Sequence, residues 1–374
     1  MKVIVRMMRH PSFSVGGAER QMELIGSELS KKNVDFHYIS DKLFEYQKKL
    51  EIINGIKVHF IGLNKSRLNY KFRSVREIIR SIAYAFDFML FVRFFRMLNS
   101  DVYHLRCATN IVGTWAFFTK IIKQKKFVFT LAHIKNCIPG SYQWSSFTNK
   151  IYEYGLKRAD IVIALAEYMK KALYQNYGVK SVVIKSGHPV PRGPFRKDDP
   201  PTILWIARPI DVKRPDLFLQ IARELKDLDV HFILIAPGEE MKDKFKKFAQ
   251  EYKNFTHIYY VRPGKDIQYY ERASLLVNTS TQEGYPNSFI QAWLHETPVI
   301  TLDVDPDCDI CKNSLGFHAK GNLNDLIDKI KELIERPARL KEMGEHCRKY
   351  AIKNHDIKKT AEQYYKLYKW VLKK

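Results

Sequence analysis

The chain has 374 residues, 45% of them hydrophobic and 28% charged, with a formal net charge of +23. That length exceeds one ordinary domain and suits two of about 180 residues, and the apolar fraction excludes a disordered chain. Five cysteines (Cys107, Cys137, Cys308, Cys311, Cys347) without framework spacing exclude a disulfide scaffold and favour a reducing compartment.

Residues 1–190 hold 31 Lys and Arg against 13 Asp and Glu, while the remainder holds 32 against 27. A field this positive on one half predicts an anionic partner, with acidic lipid and nucleic acid both candidates. MKVIVRMMRH places arginines where a signal peptide needs an apolar run, so it reads as a first strand. Gly16-Gly17 then precede a helix over Glu19–Lys31; glycines here let backbone approach a phosphate, although a plain tight turn fits too. The spacing lacks G-x-G-x-x-G, which disfavours a nicotinamide enzyme.

Short apolar runs follow at VDFHYIS, KVHFIGL, DVYHLR, KKFVFTLAH, ADIVIALA and SVVIKS. Between them, residues 64–98 carry eight Lys and Arg, two acids and eight Phe and Tyr. Arg80, Asp87, Arg93 and Arg96 interrupt that stretch too often for a membrane span. It reads either as a helix in a bilayer interface or as one half-buried on the first sheet. His133 lies just past the KFVFTLAHI strand, where a lone histidine is structural or functional. The Pro- and Gly-rich residues 187–201 read as the hinge.

Beyond them the rhythm repeats with PTILWIA, a helix over Asp216–Lys226, VHFILIA, a helix over Met241–Glu251, THIYYV, SLLVNTS and PVITLDV. Strands alternating with helices in each half predict an α/β chain with two parallel sheets. WIARPIDVKRPDL offers Arg208 and Lys213 just after a strand, cations suited to a diphosphate leaving group. STQEGYPNSFIQAWLHETPVIT reads as a loop bearing Glu283, a helix start at Asn287, Ser288 and Phe289, and a strand. The first-turn amides of such a helix attract phosphate. Asp303, Asp305 and Asp307 contain D-x-D but read as loop, and Cys308-x2-Cys311 lacks the second pair of a zinc site. The tail from Arg339 to Lys374 is helical, with Tyr364, Tyr365, Leu367, Tyr368 and Val371 on its apolar side.

The Glu283 segment resembles the E-x7-E region of the retaining GT-B glycosyltransferases of the group-1 family (glycosyltransferase family 4). Glu283 matches the first acidic position, and Gln291 stands where the second glutamate is expected. GGAER, Arg208, Lys213 and His133 match that family's cleft residues. The resemblance implies GT-B architecture: residues 1–190 as the acceptor-side Rossmann-like domain, 191–355 as the nucleotide-sugar domain, and 356–374 as a helix crossing back to the first domain. It implies Glu283 and His133 as catalytic residues, with Gly16, Gly17, Arg208, Lys213, Asn287, Ser288, Phe289 and Gln291 binding the donor. The implied activity is transfer from a nucleoside diphosphate sugar, with retention, to a lipid-linked glycan or polysaccharide precursor. No cofactor and no metal are expected, nor is nucleic acid as a partner. The expected setting is cytoplasmic, against the anionic inner face of a membrane. The competing readings are a GT-B epimerase or inverting transferase, and a basic membrane- or nucleic-acid-binding protein with a decayed sugar site.

Overall fold

A computed structural model describes residues 1–7, 16–42, 47–61, 92, 95, 98–106, 111–142, 144–239, 241–262 and 264–374. The basic aromatic stretch 64–98, save residues 92, 95 and 98, and the lead-in to Gly16 lie outside these. The chain divides into two compact units, residues 1–184 with 357–374, and residues 185–356. Among the described residues no helix is long and apolar enough to cross a membrane.

The first unit holds β1 (Lys2–Arg6), β2 (Asp35–Asp41), β3 (Leu50–Ile53), β4 (Ile56–Ile61), β5 (Val102–Arg106), β6 (Lys126–Thr130), β7 (Ile161–Ala164) and β8 (Ser181–Val183). They form one sheet in the order β3-β4-β2-β1-β5-β6-β7-β8, parallel except for the β3–β4 pair. The central strands are buried almost throughout, as expected for a parallel sheet covered on its faces. The β3–β4 hairpin was not expected. It turns at Asn54 (φ 51°) and Gly55 (φ 78°), the left-handed pair that a two-residue hairpin turn demands.

The helices Gly17–Ser30 and Ile357–Lys373 pack on this sheet. In the second of them Ile357, Thr360, Ala361, Tyr364, Tyr368 and Val371 are buried, a helical stripe. Its tyrosines also reach the strands: Tyr368 Oη lies 2.7 Å from His104 Nδ1, and Tyr364 Oη 3.4 Å from Thr130 Oγ1. Burial pushes His104 down to about 3, so the imidazole is neutral and bridges Tyr368 and Thr130 as one donor and one acceptor. The C-terminal helix therefore does return to the first unit. The tail is two helices rather than one, because Asp356 is extended (ψ 125°) and bridges to His188.

The second unit holds β9 (Thr202–Ile206), β10 (His231–Ile235), β11 (Phe255–Ile258), β12 (Leu275–Asn278), β13 (Val299–Thr301) and β14 (Gly316–His318). Their order is β11-β10-β9-β12-β13-β14, every pairing parallel. Numbered from β9, this is the 3-2-1-4-5-6 order of a Rossmann sheet, with its switch point between β9 and β12. The expected hinge, residues 187–201, is docked on this unit. Arg348 donates to the Pro191 carbonyl (2.8 Å) and stacks on Phe195, and Lys197 donates to the His295 carbonyl (2.7 Å) and Thr297 Oγ1 (2.8 Å).

The loops leaving β9 and β12 are tied at Thr279, which is fully buried. Its hydroxyl accepts from Trp205 Nε1 (2.9 Å) and donates to the Lys213 carbonyl (2.7 Å), while Thr281 N–H donates to the Val212 carbonyl (2.9 Å). Thr279→Val keeps the shape but strands a buried indole N–H. It is expected to lower stability by about 1–3 kcal/mol in urea unfolding, and an unchanged midpoint would show that the loops hold without this hydroxyl.

Candidate functional site

The carboxyl ends of β9 and β12 carry the side chains singled out in the second half. After Ile206 the chain runs through exposed Arg208 into a short turn over Asp211–Lys213, then begins the helix Pro215–Glu224. Proline disfavours a helical conformation in the residue before it, and Arg214 takes the left-handed region (φ 48°, ψ 57°). Lys213 pairs with Glu283, its side chain 20% exposed and that of Glu283 12%. Beside them Arg214 donates from Nε to the Thr279 carbonyl (2.6 Å) and pairs with Asp303. Arg208 stands on the same loop and makes no ion pair among the described residues.

Glu283 leads into the helix Asn287–Leu294, whose N-cap residue is Pro286. Phe289, Ile290, Trp293 and Leu294 are buried, so packing fixes the direction of this helix. One expected donor is already engaged: Phe289 N–H bonds the Pro286 carbonyl at 3.2 Å, because the chain closes a tight turn there. Asn287 and Ser288 form the rest of the start. Gln291 lies one helical turn beyond Asn287, on the same face. Its half-buried side chain makes no hydrogen bond among the described residues.

A buried network that no spacing in the sequence signals lies under this loop. Tyr285 Oη donates to Asp309 Oδ2 (2.7 Å) and lies 3.1 Å from His355 Nε2. Lys185 Nζ reaches the same Asp309 oxygen (2.8 Å), and His355 Nδ1 faces the Ser186 carbonyl (2.8 Å). Burial works to raise the Asp309 carboxyl, but hydrogen bonds from Lys185 and Tyr285 outweigh it and hold the group below its ordinary range. Burial pushes His355 down to about 4, so it is neutral. Tyr285 is therefore held by its hydroxyl through Asp309, two residues from Glu283.

In the first unit, Gly16 caps the helix Gly17–Ser30 with φ −80°. A Cβ there would meet the Glu19 carboxylate, which folds back over the helix start and, as the end of a flexible side chain, is free to move aside. His133 caps the short turn Ile134–Cys137; its Nδ1 accepts from Lys135 N–H (3.1 Å) and its own N–H donates to Asn136 Oδ1 (2.9 Å). In the neutral ring the proton therefore sits on Nε2. Arg106, unremarked in the sequence, ends β5 at 2% exposure with Nη1 3.7 Å from Met22 Sδ and Nε unbonded among the described residues. Burial lowers its pKa. Lys213, Glu283, Arg208 and the Asn287 helix thus stand at one sheet end of the second unit, and Gly16, Gly17 and His133 belong to the first.

Residues 191–354 match the sequence model of the glycosyl transferases group 1 family. The poly(ribitol-phosphate) alpha-N-acetylglucosaminyltransferase of Staphylococcus aureus is 27% identical over 218 residues, 55% of this chain and 43% of that enzyme. This chain therefore spans under half of that relative's length. An uncharacterized glycosyltransferase of Methanocaldococcus jannaschii is 24% identical over 372 residues, 94% of each chain. Among solved structures, a variant of S. aureus TarM with fondaparinux, alpha-GlcNAc-glycerol and UDP superposes with a TM-score of 0.77 at 15% identity, over 98% of this chain and 100% of that one. The fold is GT-B, as expected. The match to the group 1 glycosyl transferase model takes in nearly all of the second unit, residues 185–356.

Proposed function

We propose that this chain moves a sugar from a nucleoside diphosphate sugar to a glycan acceptor with retention at the anomeric carbon. The observation that carries the reading is the meeting of Lys213 and Glu283 at the β9/β12 switch point, where Rossmann sheets bind nucleotides. In this reading Arg208, Lys213 and the start of the Asn287–Leu294 helix take the diphosphate, neutralising charge that grows as the sugar–phosphate bond breaks. Glu283 accepts hydrogen bonds from the sugar and steadies positive charge at the anomeric carbon. The acceptor oxygen attacks on the face the diphosphate leaves, and its proton passes to the departing phosphate oxygen. Gln291 takes the ribose hydroxyls through its carbonyl oxygen, as a neutral acceptor about 1 kcal/mol weaker than a carboxylate. Gly16 and Gly17 admit phosphate to the first unit's helix start. His133 presents Nε2–H, and buried Arg106 favours an anionic ligand.

Glu283→Gln and Lys213→Ala are each expected to lower kcat/KM by about 10²–10³ or more with circular dichroism unchanged; full turnover by either would remove the site assignment. The product's anomeric configuration separates retention from inversion, and absence of donor binding in calorimetry would favour a decayed site. With two cations and a helix start on the diphosphate, transfer calls on no divalent metal. Turnover at saturating donor is therefore expected to be insensitive to added magnesium or manganese, and a strict requirement for either would contradict this.

The name of the staphylococcal relative points to a polyol-phosphate polymer as acceptor, and a lipid-linked glycan or polysaccharide precursor fits the charge of residues 1–190. Peripheral attachment to an anionic membrane from the cytoplasmic side completes the proposal. Phe117, Ile121 and Ile122 are 44%, 46% and 50% exposed, next to Lys123 and Lys125. Apolar side chains beside lysines suit a bilayer interface. Sedimentation with phosphatidylserine vesicles should fall with salt and with Ile121→Asp, and binding indifferent to both would discard the membrane arm.

A further inference from the structure

The D-x-D loop and the Cys308-x2-Cys311 pair read as unremarkable in the sequence, yet the fold gives them a neighbour. β14 returns in parallel register beside β13, with Val299 opposite Gly316 and Thr301 opposite His318. That register brings His318 to the sheet end from which the Asp305 loop departs. Asp305, Cys311 and His318 consequently offer ligand atoms that all lie within 4.8 Å of one another.

The Asp305 side chain is 3% exposed and accepts N–H groups from Ile310 (2.8 Å) and Cys311 (3.2 Å). Each carboxylate oxygen keeps a further lone pair. His318 is the anomalous member. Its Nδ1 stands 3.9 Å from Asp305 Oδ2, too far for a hydrogen bond, and its Nε2 is shut off from solvent with no partner among the described residues. A cation seated between imidazole, carboxylate and thiol would take the ring nitrogen that faces Asp305, which no described residue reaches at hydrogen-bond distance.

We propose that Asp305, Cys311 and His318 bind a thiophilic divalent cation of the zinc class, with the fourth position open to water. The donor set, one sulfur, one nitrogen and one oxygen, is one that zinc accepts and magnesium or calcium does not. Zinc bond lengths of about 2.0–2.3 Å require tetrahedral ligand atoms about 3.3–3.8 Å apart. The widest spacing here must therefore close by about 1 Å, which rotation of the exposed Cys311 side chain supplies. Coordination takes the thiolate, so the Cys311 proton leaves to solvent as the metal binds.

The site lies outside the diphosphate chemistry and acts as a brace. Asp303, two residues before Asp305, pairs with Arg214, and Asp309, on the same short helix as Cys311, accepts from Tyr285. The cation would fix the segment that holds both. Its loss should lower the unfolding temperature of the chain without abolishing transfer.

The test is a titration of the chelator-treated full chain with cobalt(II) chloride, followed by absorption. One cobalt per chain is expected, with a thiolate-to-metal charge-transfer band that zinc displaces. Cys311→Ser should abolish that band, Asp305→Asn and His318→Ala should weaken cobalt affinity at least about tenfold, and Cys308→Ser should leave the band in place. Circular dichroism without cobalt checks that each variant is folded, and Cys311→Ser, at an exposed position, carries the decision if another fails. A titration without the band overturns the proposal, as does a band that survives Cys311→Ser or is lost with Cys308→Ser. The sugar-transfer reading is untouched by either result, because it rests on Lys213 and Glu283.

Discussion

The ion pair between Lys213 and Glu283 is the constraint on which the second unit's site depends. Each group sits on a loop leaving a different strand, and the switch in strand order between β9 and β12 is what sets those loops side by side. Neither side chain is strongly exposed, so the pair is costly to break one-sidedly: removing one partner leaves a partly buried charge behind. Hydrogen bonds from the Thr279 hydroxyl and the Thr281 N–H hold the loops together independently of the charges. Geometry is therefore set by neutral hydrogen bonds, and the charges are placed where they meet. That separation lets a ligand compete for the ammonium without unravelling the loops.

Coupling the pair also changes how each member acts. In the proposed reading, a lysine that takes the diphosphate and a glutamate that takes the sugar would be independent if they stood apart. Here the amine is already compensated, so a phosphate entering beside it shares the ammonium with Glu283 and gains less than it would from a lone cation. Arg208, exposed on the same loop, supplies charge that no carboxylate among the described residues has claimed. The carboxylate in turn is held in place by the ammonium at the mouth of the loop.

Much of this fold was legible in the sequence, because a parallel sheet buried on both faces must be written as apolar runs. The strands Val3–Val5, Phe127–Thr130 and Ile203–Trp205 are such runs, and the helices between them carry the 3.6-residue stripe. What escaped had other causes. The β3–β4 hairpin is signalled only by Asn54-Gly55, since the alternating pattern around it is short. β14 is three residues long with a glycine at its head, too brief for any periodicity. The break at Asp356 depends on a backbone bridge to His188, a contact 168 residues away in sequence that no local pattern records. At the site, Lys213, Arg208 and Glu283 were visible as residue types at strand ends. Thr279, Tyr285 and Asp309 were not, because a hydroxyl or carboxylate that works through buried hydrogen bonds leaves no spacing signature.

The hidden residues share a physical logic. Tyr285 is fully enclosed, and an enclosed phenol needs a partner. Asp309 supplies one, and hydrogen bonds from Lys185 and Tyr285 lower its carboxyl pKa against the effect of burial. Lys185 and Ser186 lie where the chain enters the second unit, and His355 lies where it leaves, so the loop that carries Glu283 is anchored to both ends of its own unit. A change in backbone at either end would reach Glu283 through two hydrogen bonds and one tyrosine ring. The same short helix that presents Asp309 also presents Cys311 to Asp305. Anchoring of the Glu283 loop and closure of the β13 loop therefore meet in one four-residue element, Asp309–Lys312. A helix that short has little stability of its own, so the side chains that hold it from outside decide where it sits.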